Sequence, residues 1–179
     1  MPATKRLQEH DEKRAEIVSA ARRLFIDHGY EHTPMNKLAH AAGVAGNTIY
    51  WYFTDKDDLL IAVLNDVMND AIGDYQDVAA RPLEDQLLWA VGQLQEMRRL
   101  VSTVHARIRA SPAINEWHDA FHVMTEGLLR VLLEQAGANG ANVDAEVKIA
   151  VFTIEGILTH ELDAAEQQAI CHRLAEPPI

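Results

Sequence analysis

Apolar residues recur at intervals of three and four along most of the chain, and this spacing constrains the fold more than any other feature. The longest ladder is Leu59, Leu60, Val63, Leu64, Val67, Met68, Ala71, Ile72 and Tyr75. Residues three and four apart share one face of an α-helix. The alternating pattern of a half-buried strand is almost absent. We therefore predict an all-α protein.

The composition is typical of a globular protein inside the cell. A hydrophobic content of 48% over the 179 residues argues against disorder. The apolar runs are far too short to span a membrane, and no basic-then-apolar N-terminal pattern indicates a secretory signal. One cysteine, Cys171, excludes an internal disulfide. We expect a soluble cytoplasmic protein with one domain or two small ones.

Acidic residues are concentrated in the C-terminal two thirds of the chain. The formal net charge is −11, yet residues 1–60 carry 8 Lys/Arg against 9 Asp/Glu, whereas the rest carry 8 against 18. A nearly neutral first segment can still present a local basic face, and local potential decides phosphate contact. The two parts of the chain are therefore expected to have different partners.

Three short helices are expected in the first segment. The first runs from about Asp11 to His28 and ends at Gly29. Thr33 offers a cap for the second, with Pro34 at its first position, and Gly43 ends it. The third covers roughly Ala45–Phe53. A short helix, a tight turn with glycine and a second short helix form a helix-turn-helix motif.

The third helix is the one that would enter the DNA major groove. At about 100° per residue, Ile49 and Phe53 point together toward the core. The outer face carries Asn47, Thr48, Tyr50 and Trp51, with Tyr52 on its flank. Amides suit base edges, hydroxyls suit phosphates, and rings suit a thymine methyl or a sugar. This pattern favours a DNA-contacting surface over a merely solvated one.

Lys56 lies in the first turn of the next helix, which Asp55 can cap and which reaches about Ala79. A lysine there opposes the helix dipole. Pairing with the neighbouring Asp57 and Asp58 would offset this. A lysine beside free helix N–H groups also forms a phosphate clamp, and we favour the clamp because of the motif before it.

The segment Ile17–Leu60, IVSAARRLFIDHGYEHTPMNKLAHAAGVAGNTIYWYFTDKDDLL, resembles the DNA-binding domain of the TetR family of bacterial repressors. The resemblance covers about a quarter of the chain. It includes the Ala-Ala…Leu-Phe…Gly-Tyr…Thr run, the Leu-Ala…Ala-Gly-Val turn and the Thr-Ile-Tyr-x-Tyr-Phe-x-x-Lys segment. It implies a homodimer in which residues 1–56 bind DNA, residues 57–179 bind ligand and dimerise, and helix four, about 57–79, connects them.

Carried over by position, the resemblance implies DNA contacts that go mostly to phosphates. They are Thr33, Thr48, Tyr50, Tyr52 and Lys56. Asn47 and Trp51 stand at positions that read bases, and Asn36 and Gly46 complete the candidate set. The family commonly has Ser at Ala45 and Gly at Asn47. Because alanine caps poorly, Asn47 could cap the helix instead of reading a base.

Another departure concerns Asn36, which replaces a frequent arginine and removes one phosphate contact. An N-terminal arm could supply others through Lys5, Arg6, Lys13 and Arg14. A solvated tail of mixed charge is the alternative interpretation of the arm.

The C-terminal part is expected to enclose an effector pocket among its helices. Candidate lining residues are Trp89, Met97, Trp117, Phe121, Met124 and Phe152. Ordinary core is the alternative for each of them. His118 and His122 are four apart and, with His105 or Glu126, could hold a metal, but nothing else supports this. We assign no metal ligand and expect no cofactor.

Helices in this part are expected from Leu83 to about Leu100, from the SPA stretch at 111–113 to about Gln135, and from an Asp144 cap to about His160. Residues 101–109 continue the first of them or form a separate helix. The loop GANGAN lies before the Asp144 cap. Asp163 and Glu166 form a capping box for the last helix.

The helix from Asp144 to His160 is apolar over most of its circumference, so a partner surface is expected. Candidate interface residues are Val151, Ile154, Ile157 and Leu158. The family builds its dimer from the last two helices, and two-fold symmetry matches a palindromic operator. Because the last helix is short and polar, we expect the interface to rest mainly on the helix before it.

The resemblance, together with the apolar ladder that starts at Leu59, implies a ligand-responsive transcriptional regulator, a repressor that a partly apolar small-molecule effector releases from its operator. Ligand would favour a state in which helix four moves the two reading helices out of register with DNA. An effector-independent DNA-binding regulator and a metal-sensing regulator of the same fold are the alternatives. No nucleophile–base pairing, phosphate loop or carboxylate pair indicates an enzyme.

Overall fold

The computed structural model describes residues 2–138 and 142–176, with side chains from residue 7 onward, and in these residues it is all helical, as predicted. The helices are α1 Pro2–His28, α2 Met35–Ala41, a 3-10 helix Thr48–Trp51, α3 Lys56–Tyr75, α4 Leu83–Glu96, α5 Arg98–Arg107, α6 Pro112–Gln135, α7 Val143–Thr159 and α8 Ala164–Ala175. The side chains of Lys5 and Arg6, and residues 139–141 of the GANGAN loop, lie outside this description. No helix in the described ranges is long and apolar enough to cross a membrane.

The chain divides into two compact units. The first comprises Met1–Asp70 and Arg99–Trp117, and the second comprises Ala71–Arg98 and His118–Ile179. All three divisions, after Asp70, Arg98 and Trp117, fall inside helices. The division by packing differs from the functional boundary expected between residues 56 and 57, which stays a prediction.

The core of the first unit draws its largest buried side chains from α1, α2, the 3-10 helix, α3, α5 and α6. They are Ile17, Phe25, Leu38, Ile49, Phe53, Leu59, Leu60, Leu100 and Ile114. Burying a side chain of this size contributes roughly 1.5–3 kcal/mol. α1 packs on α2, and α2 packs on the 3-10 helix. The apolar spacing seen in the sequence is thus what fixes the position of the short 3-10 helix.

Helix α1 starts at Pro2 rather than near Asp11. Residues 2–10 contain good helix formers and no glycine, the proline stands at the first position, where its missing N–H has no cost, and Gln8 bonds Glu12 one turn on, at 3.0 Å. The helix ends as predicted, because Gly29 adopts a φ of 80° that suits glycine.

The cap predicted for α2 is wrong. Pro34 occupies the cap position, α2 has no side-chain cap bond, and Thr33 donates its hydroxyl to the Gly29 carbonyl at 2.8 Å instead. The hydroxyl is taken up by the turn that precedes the helix, so it is not available to a helix N–H group. Gly43 ends the α2 region with a φ of 67°, as expected.

The helix that the sequence predicts as helix four is α3 in the structure, and its predicted start is confirmed. Asp55 Oδ1 accepts the backbone N–H of Asp58 at 2.9 Å, which satisfies one of the free donors of the first turn. Asp58 in turn accepts the N–H of Thr54 at 2.9 Å. The helix ends at Tyr75 rather than near Ala79, and residues 76–80 follow it as turns.

α4 and α5 are separate helices, because Met97 breaks the regular pattern between them. α6 has the predicted extent. α7 begins at Val143, and the cap position is held by Asn142 without a side-chain cap bond. The Asp144 cap is therefore wrong: this carboxylate lies in the first turn and pairs with Arg130.

The core of the second unit joins α4, α6, α7 and α8, and α4 packs against both α7 and α8. Its buried residues are Leu87, Val91, Leu129, Leu133, Ala138, Val143, Val147, Ala150, Ile157 and Cys171. The capping box of α8 is confirmed, with both reciprocal bonds between Asp163 and Glu166 at 2.9 Å. Burial raises the pKa of the Cys171 thiol, so the unreactive neutral thiol is favoured.

Candidate nucleic-acid interface

The segment predicted to enter the DNA major groove, which we call the reading turn, is a single 3-10 turn, Thr48–Trp51. It is shorter than the helix predicted over residues 45–53. It opens with a bond from the Thr48 N–H to the Ala45 carbonyl at 2.8 Å, and the Phe53 N–H closes it on the Ile49 carbonyl at 3.1 Å. Ala45 has no side-chain oxygen with which to cap a longer helix. The segment therefore forms only the short helix that its tertiary contacts support.

The expected division of the segment into a buried and an outer face is confirmed. Ile49 and Phe53 are 0% and 1% exposed, whereas Tyr50 and Trp51 are 53% and 81% exposed. Asn47 is exposed and Thr48 is half-buried. A tryptophan this exposed leaves nearly all of its apolar surface in water, which is unusual without a partner. The outer face thus has the geometry of a contact surface.

Asn47 does not cap the reading turn. Its backbone is helical, with φ −78° and ψ −22°, and its side chain makes no cap hydrogen bond. An N-cap residue usually has an extended backbone, from which its side chain can turn back to the helix N–H groups. Of the two roles expected for Asn47, the folded chain does not use the capping role, and base contact stays a prediction.

Tyr52 is braced from the side by α1. Its ring stacks on the His10 ring, with 4.7 Å between centroids and 28° between planes. One turn on, the Arg14 guanidinium lies 4.8 Å from the Phe53 ring centroid. The sequence indicated Arg14 only as part of the arm and indicated no role for His10. Their spacing of four, which places both on one helix face, is the signal that could have found the pair.

Thr33 is fully buried, and its hydroxyl is bonded to the Gly29 carbonyl. A phosphate contact from this hydroxyl stays a prediction, and it would require the existing bond to be given up or shared. Asn36 on α2 and Gly46 in the turn are both exposed. They are open to a ligand, and their DNA contacts stay predictions too.

The Lys56 ammonium lies over an aromatic ring, with Nζ 3.9 Å from the centroid of Tyr30. Burial lowers the pKa of Lys56, and Glu31 opposes that shift. The neighbouring carboxylates have other partners: Asp55 and Asp58 accept backbone N–H groups. The half-buried ammonium is thus held by a ring and not by those two carboxylates, which favours the clamp interpretation over simple local pairing.

The candidate pocket residues differ in exposure. Trp89 is half-buried, with its ring 5.7 Å from that of Tyr75, and Phe121 is half-buried beside His122. Met97 is half-buried as well. Met124 and Phe152 are 44% and 68% exposed. Trp117 belongs to the first compact unit, in which its indole N–H donates to Asn65 at 2.8 Å.

His118 and His122 contact each other through their Nε2 atoms at 3.1 Å. Burial lowers the pKa of His118, and the neighbouring His122 lowers it further, so the neutral ring is favoured. Glu155 lies 3.5 Å from His122 Nε2. In the described part of the chain, no group of three or more His, Cys, Asp or Glu side chains is arranged to hold a metal ion. The metal-sensing alternative gains no support from this geometry.

The predicted interface residues are only partly open. Ile157 is 2% exposed and belongs to the core of its own chain, whereas Val151, Ile154 and Leu158 are half-buried. The larger open apolar surface lies on α6 and α7. It consists of Val123, Met124, Leu128, Val131, Ile149 and Phe152, between 44% and 75% exposed. We call these six residues the α6–α7 apolar face.

Known proteins resemble the chain most strongly in the N-terminal segment, which holds the candidate nucleic-acid interface. Residues 17–63 match the family model for bacterial regulatory proteins of the tetR family. The HTH-type transcriptional regulator HbdR of Aromatoleum sp. (strain CIB) is 42% identical over 74 residues, 41% of this chain and 31% of that protein. The HTH-type transcriptional regulator AcrR of Shigella flexneri is 46% identical over 57 residues, 32% of this chain and 26% of that protein.

The segment 17–63 is thus similar in sequence to the tetR family of bacterial regulatory proteins. The aligned residues span about a third or less of the length of these two curated relatives. A solved TetR-family structure extends the likeness to the fold of the whole chain: the putative regulator from Mesorhizobium loti MAFF303099 superposes with a TM-score of 0.70 and 19% identity, over 93% of this chain and 94% of that one. The TetR likeness in sequence is thus concentrated in residues 17–63.

Proposed function

We propose that the protein is a transcriptional regulator of the cytoplasm that binds DNA as a homodimer and represses transcription until a small-molecule effector releases it. The observation that carries the proposal is the outer face of the 3-10 helix. A tryptophan and a tyrosine stand open to solvent there, beside an exposed asparagine, on a turn anchored by Ile49 and Phe53. The curated relatives that match this segment are transcriptional regulators, not enzymes.

Readout on this surface divides between two kinds of contact. Asn47 offers an amide to a base edge, and Trp51 offers a ring to a thymine methyl or a sugar. Thr48, Tyr50, Tyr52 and Lys56 supply hydroxyls and one cation to phosphates. The net charge of −11 does not oppose this, because the acid lies mostly beyond residue 60 and is screened over about 8–10 Å.

Dimerisation is proposed through the α6–α7 apolar face. Six exposed large apolar side chains on two helices make a patch that a monomer would leave in water. An isologous contact between two copies would cover it and give the two-fold symmetry that a palindromic operator requires. Val151, Ile154 and Leu158, which are half-buried on α7, lie on the same helix and would complete this interface.

The effector is proposed to be partly apolar. Trp89 and Phe121 are half-buried aromatic residues of the second unit. Gln86 is buried next to Trp89 and Tyr75, and it accepts the Tyr75 hydroxyl at 2.6 Å. Rings with a few fixed polar groups are the usual lining of a small-molecule site. Release of DNA would follow from a higher effector affinity for the state that does not fit the operator.

Fluorescence anisotropy with duplexes from the DNA upstream of the gene tests the proposal. Wild type should bind one of them more tightly than a scrambled duplex of equal length. Tyr50→Ala and Lys56→Ala should weaken that binding strongly, whereas Gln76→Ala, an exposed change in the turn after α3, should not. Operator binding by Tyr50→Ala and Lys56→Ala at wild-type strength would show that the reading surface is assigned wrongly.

A further inference from the structure

Arg107, at the end of α5, forms a two-pronged ion pair with Asp57 at the start of α3. Its Nε donates to Asp57 Oδ1 at 2.6 Å, and its Nη2 donates to Oδ2 at 2.7 Å. The arginine side chain is 26% exposed and the aspartate side chain 15%. A bidentate pair with this little exposure is the geometry in which a guanidinium fixes a carboxylate most firmly.

Tyr30 joins the pair to Lys56. Its hydroxyl donates to Asp57 Oδ1, its ring lies under the Lys56 ammonium at 3.9 Å, and the Arg107 guanidinium lies 5.0 Å from the same ring. Burial opposes ionisation of Asp57, yet the bonds from Arg107, Tyr30 and Ser111 prevail and lower the pKa of Asp57. Asp57 is therefore a fixed anion next to the predicted phosphate clamp.

Two cations, Arg107 and Lys56, compete for the Asp57 carboxylate. Glu31 also faces both of them: its charge raises the pKa of Lys56, and its carboxylate lies 4.0 Å from Arg107 Nη1, but its side chain is 76% exposed and therefore holds a cation less firmly. Lys56 is the neighbour of Asp57 in the chain, and an ammonium gains more from a partly buried carboxylate than from an aromatic ring. Because both Asp57 oxygens are occupied by Arg107, the Lys56 ammonium remains over the Tyr30 ring. Without Arg107, we expect the Lys56 ammonium to form an ion pair with Asp57. Its charge would then be neutralised within the protein and would not be available to a DNA phosphate.

We infer that Arg107 is a positioning residue for DNA binding: by occupying Asp57 it keeps the Lys56 ammonium available to a DNA phosphate. The inference rests on the proposed function. It makes α5, which follows Lys56 by about 40 residues in the chain, a determinant of the DNA-contacting surface. If α5 shifted so that Arg107 separated from Asp57, Lys56 would pair with Asp57 and one phosphate contact would be lost. The reading turn itself would not need to change.

The salt dependence of DNA binding tests the inference, because each lost phosphate contact reduces the slope of log K against log salt by about 0.9. Anisotropy on the tightest upstream duplex is measured for wild type, Lys56→Met, Arg107→Met and the Lys56→Met/Arg107→Met double variant. We expect the two single variants and the double variant to lose the same single contact. Arg99→Met is the matched control, since Arg99 is also an α5 arginine that binds α1, at the Ile26 carbonyl, and it should keep the wild-type slope.

A charge-balanced variant separates positioning from mere structural support. In Arg107→Met/Asp57→Asn the competing carboxylate is gone, so the slope should return to the wild-type value although the ion pair is absent. Circular dichroism melting identifies the temperature at which every variant is folded. If Arg107→Met does not fold, Arg107→Lys, whose ammonium cannot hold both Asp57 oxygens as the guanidinium does, should also bind with a reduced slope.

Three outcomes would overturn the inference while leaving the proposed function intact: a wild-type slope in Arg107→Met, losses of about 0.9 from each single variant that add in the double variant, or no recovery in the charge-balanced variant. Absence of any sequence preference in the wild type would contradict the proposed function itself and remove the basis of the inference. The two failures are therefore distinguishable in one set of measurements.

Discussion

Ile49 and Trp51 stand two residues apart in one 3-10 turn, yet their exposed fractions are 0% and 81%. The turn is held to the protein by the first side chain and presents the second to solvent. The residue that anchors the turn and the residue proposed to contact DNA are therefore different members of one four-residue element. Substitutions at these two positions should therefore have opposite consequences.

Ile49→Ala should lower the free energy of unfolding by about 2–5 kcal/mol, since a fully buried aliphatic side chain is truncated. Trp51→Ala should change it by less than about 0.5 kcal/mol, as is usual at exposed sites, and should reduce the preference for the operator over a scrambled duplex. Urea unfolding and anisotropy measure the two quantities. A Trp51→Ala variant that discriminates as well as wild type would exclude the indole from readout.

Asn47 can be tested in the same turn. Asn47→Ala removes the amide, and Asn47→Ser removes it but retains an oxygen that can cap a helix. Since no cap bond exists in the structure, both variants should unfold like wild type. If the amide reads a base, both should lose about 1–3 kcal/mol of discrimination at one operator position. Recovery of stability or binding by serine alone would instead indicate a capping role.

The sequence predicted best what depends on residues close together in the chain. The ladder from Leu59 to Tyr75 is one helix, and the Asp163–Glu166 box formed as expected, because both partners lie within one turn. Burial of Ile49 and Phe53 followed from their spacing alone. Each of these features is determined by local periodicity, and no knowledge of the packing was needed.

Features that depend on competition between partners were not predictable in this way. Thr33 and Asp144 have the right chemistry for caps, but their side chains bond the Gly29 carbonyl and Arg130 instead. The contact between Arg107 and Asp57 joins residues 50 apart, and no periodic pattern relates them. The reading helix is shorter than its apolar spacing implied, since spacing reports burial and not the length of regular hydrogen bonding.

The α6–α7 apolar face should control the oligomeric state. Phe152 is 68% exposed in a single chain, so Phe152→Glu costs little in the monomer but places a charge in the proposed interface, where it would be desolvated. We expect a shift from dimer to monomer in analytical ultracentrifugation. Ala80→Glu, an exposed change in the turn after α3, introduces the same charge away from this face and should remain dimeric. A dimeric Phe152→Glu variant would place the interface elsewhere.

His172 and Glu84 should make the packing of α8 on α4 depend on pH. The His172 Nδ1 lies 2.7 Å from the Glu84 carboxylate, and Glu176 lies 3.5 Å from its Nε2. The bond to Glu84 raises the pKa of His172 above its ordinary 6.5. The same bond lowers the pKa of Glu84 below its ordinary 4.5, against a smaller opposing effect of burial.

The direction of the pH dependence follows from these two shifts. The contribution of His172 to stability is complete below its ordinary pKa and is lost as the pH rises through the raised one. The contribution of Glu84 is complete above its ordinary pKa and is lost as the pH falls through the lowered one. Together they stabilise the fold most fully between the two ordinary values, 4.5 and 6.5.

Titration of the His172 ring protons by NMR should give a midpoint above 6.5 in wild type, and Glu84→Gln should move that midpoint down. The melting temperatures of wild type and Glu84→Gln should differ most inside the window and converge at alkaline pH, where the histidine is neutral in both. His172→Gln removes the titrating ring but keeps hydrogen-bonding capacity. Its melting temperature should also differ most from that of wild type inside the window and converge with it at alkaline pH. An unchanged midpoint in Glu84→Gln would mean that the pair is not formed in solution, because no other carboxylate in the described contacts of His172 lies as close as Glu84.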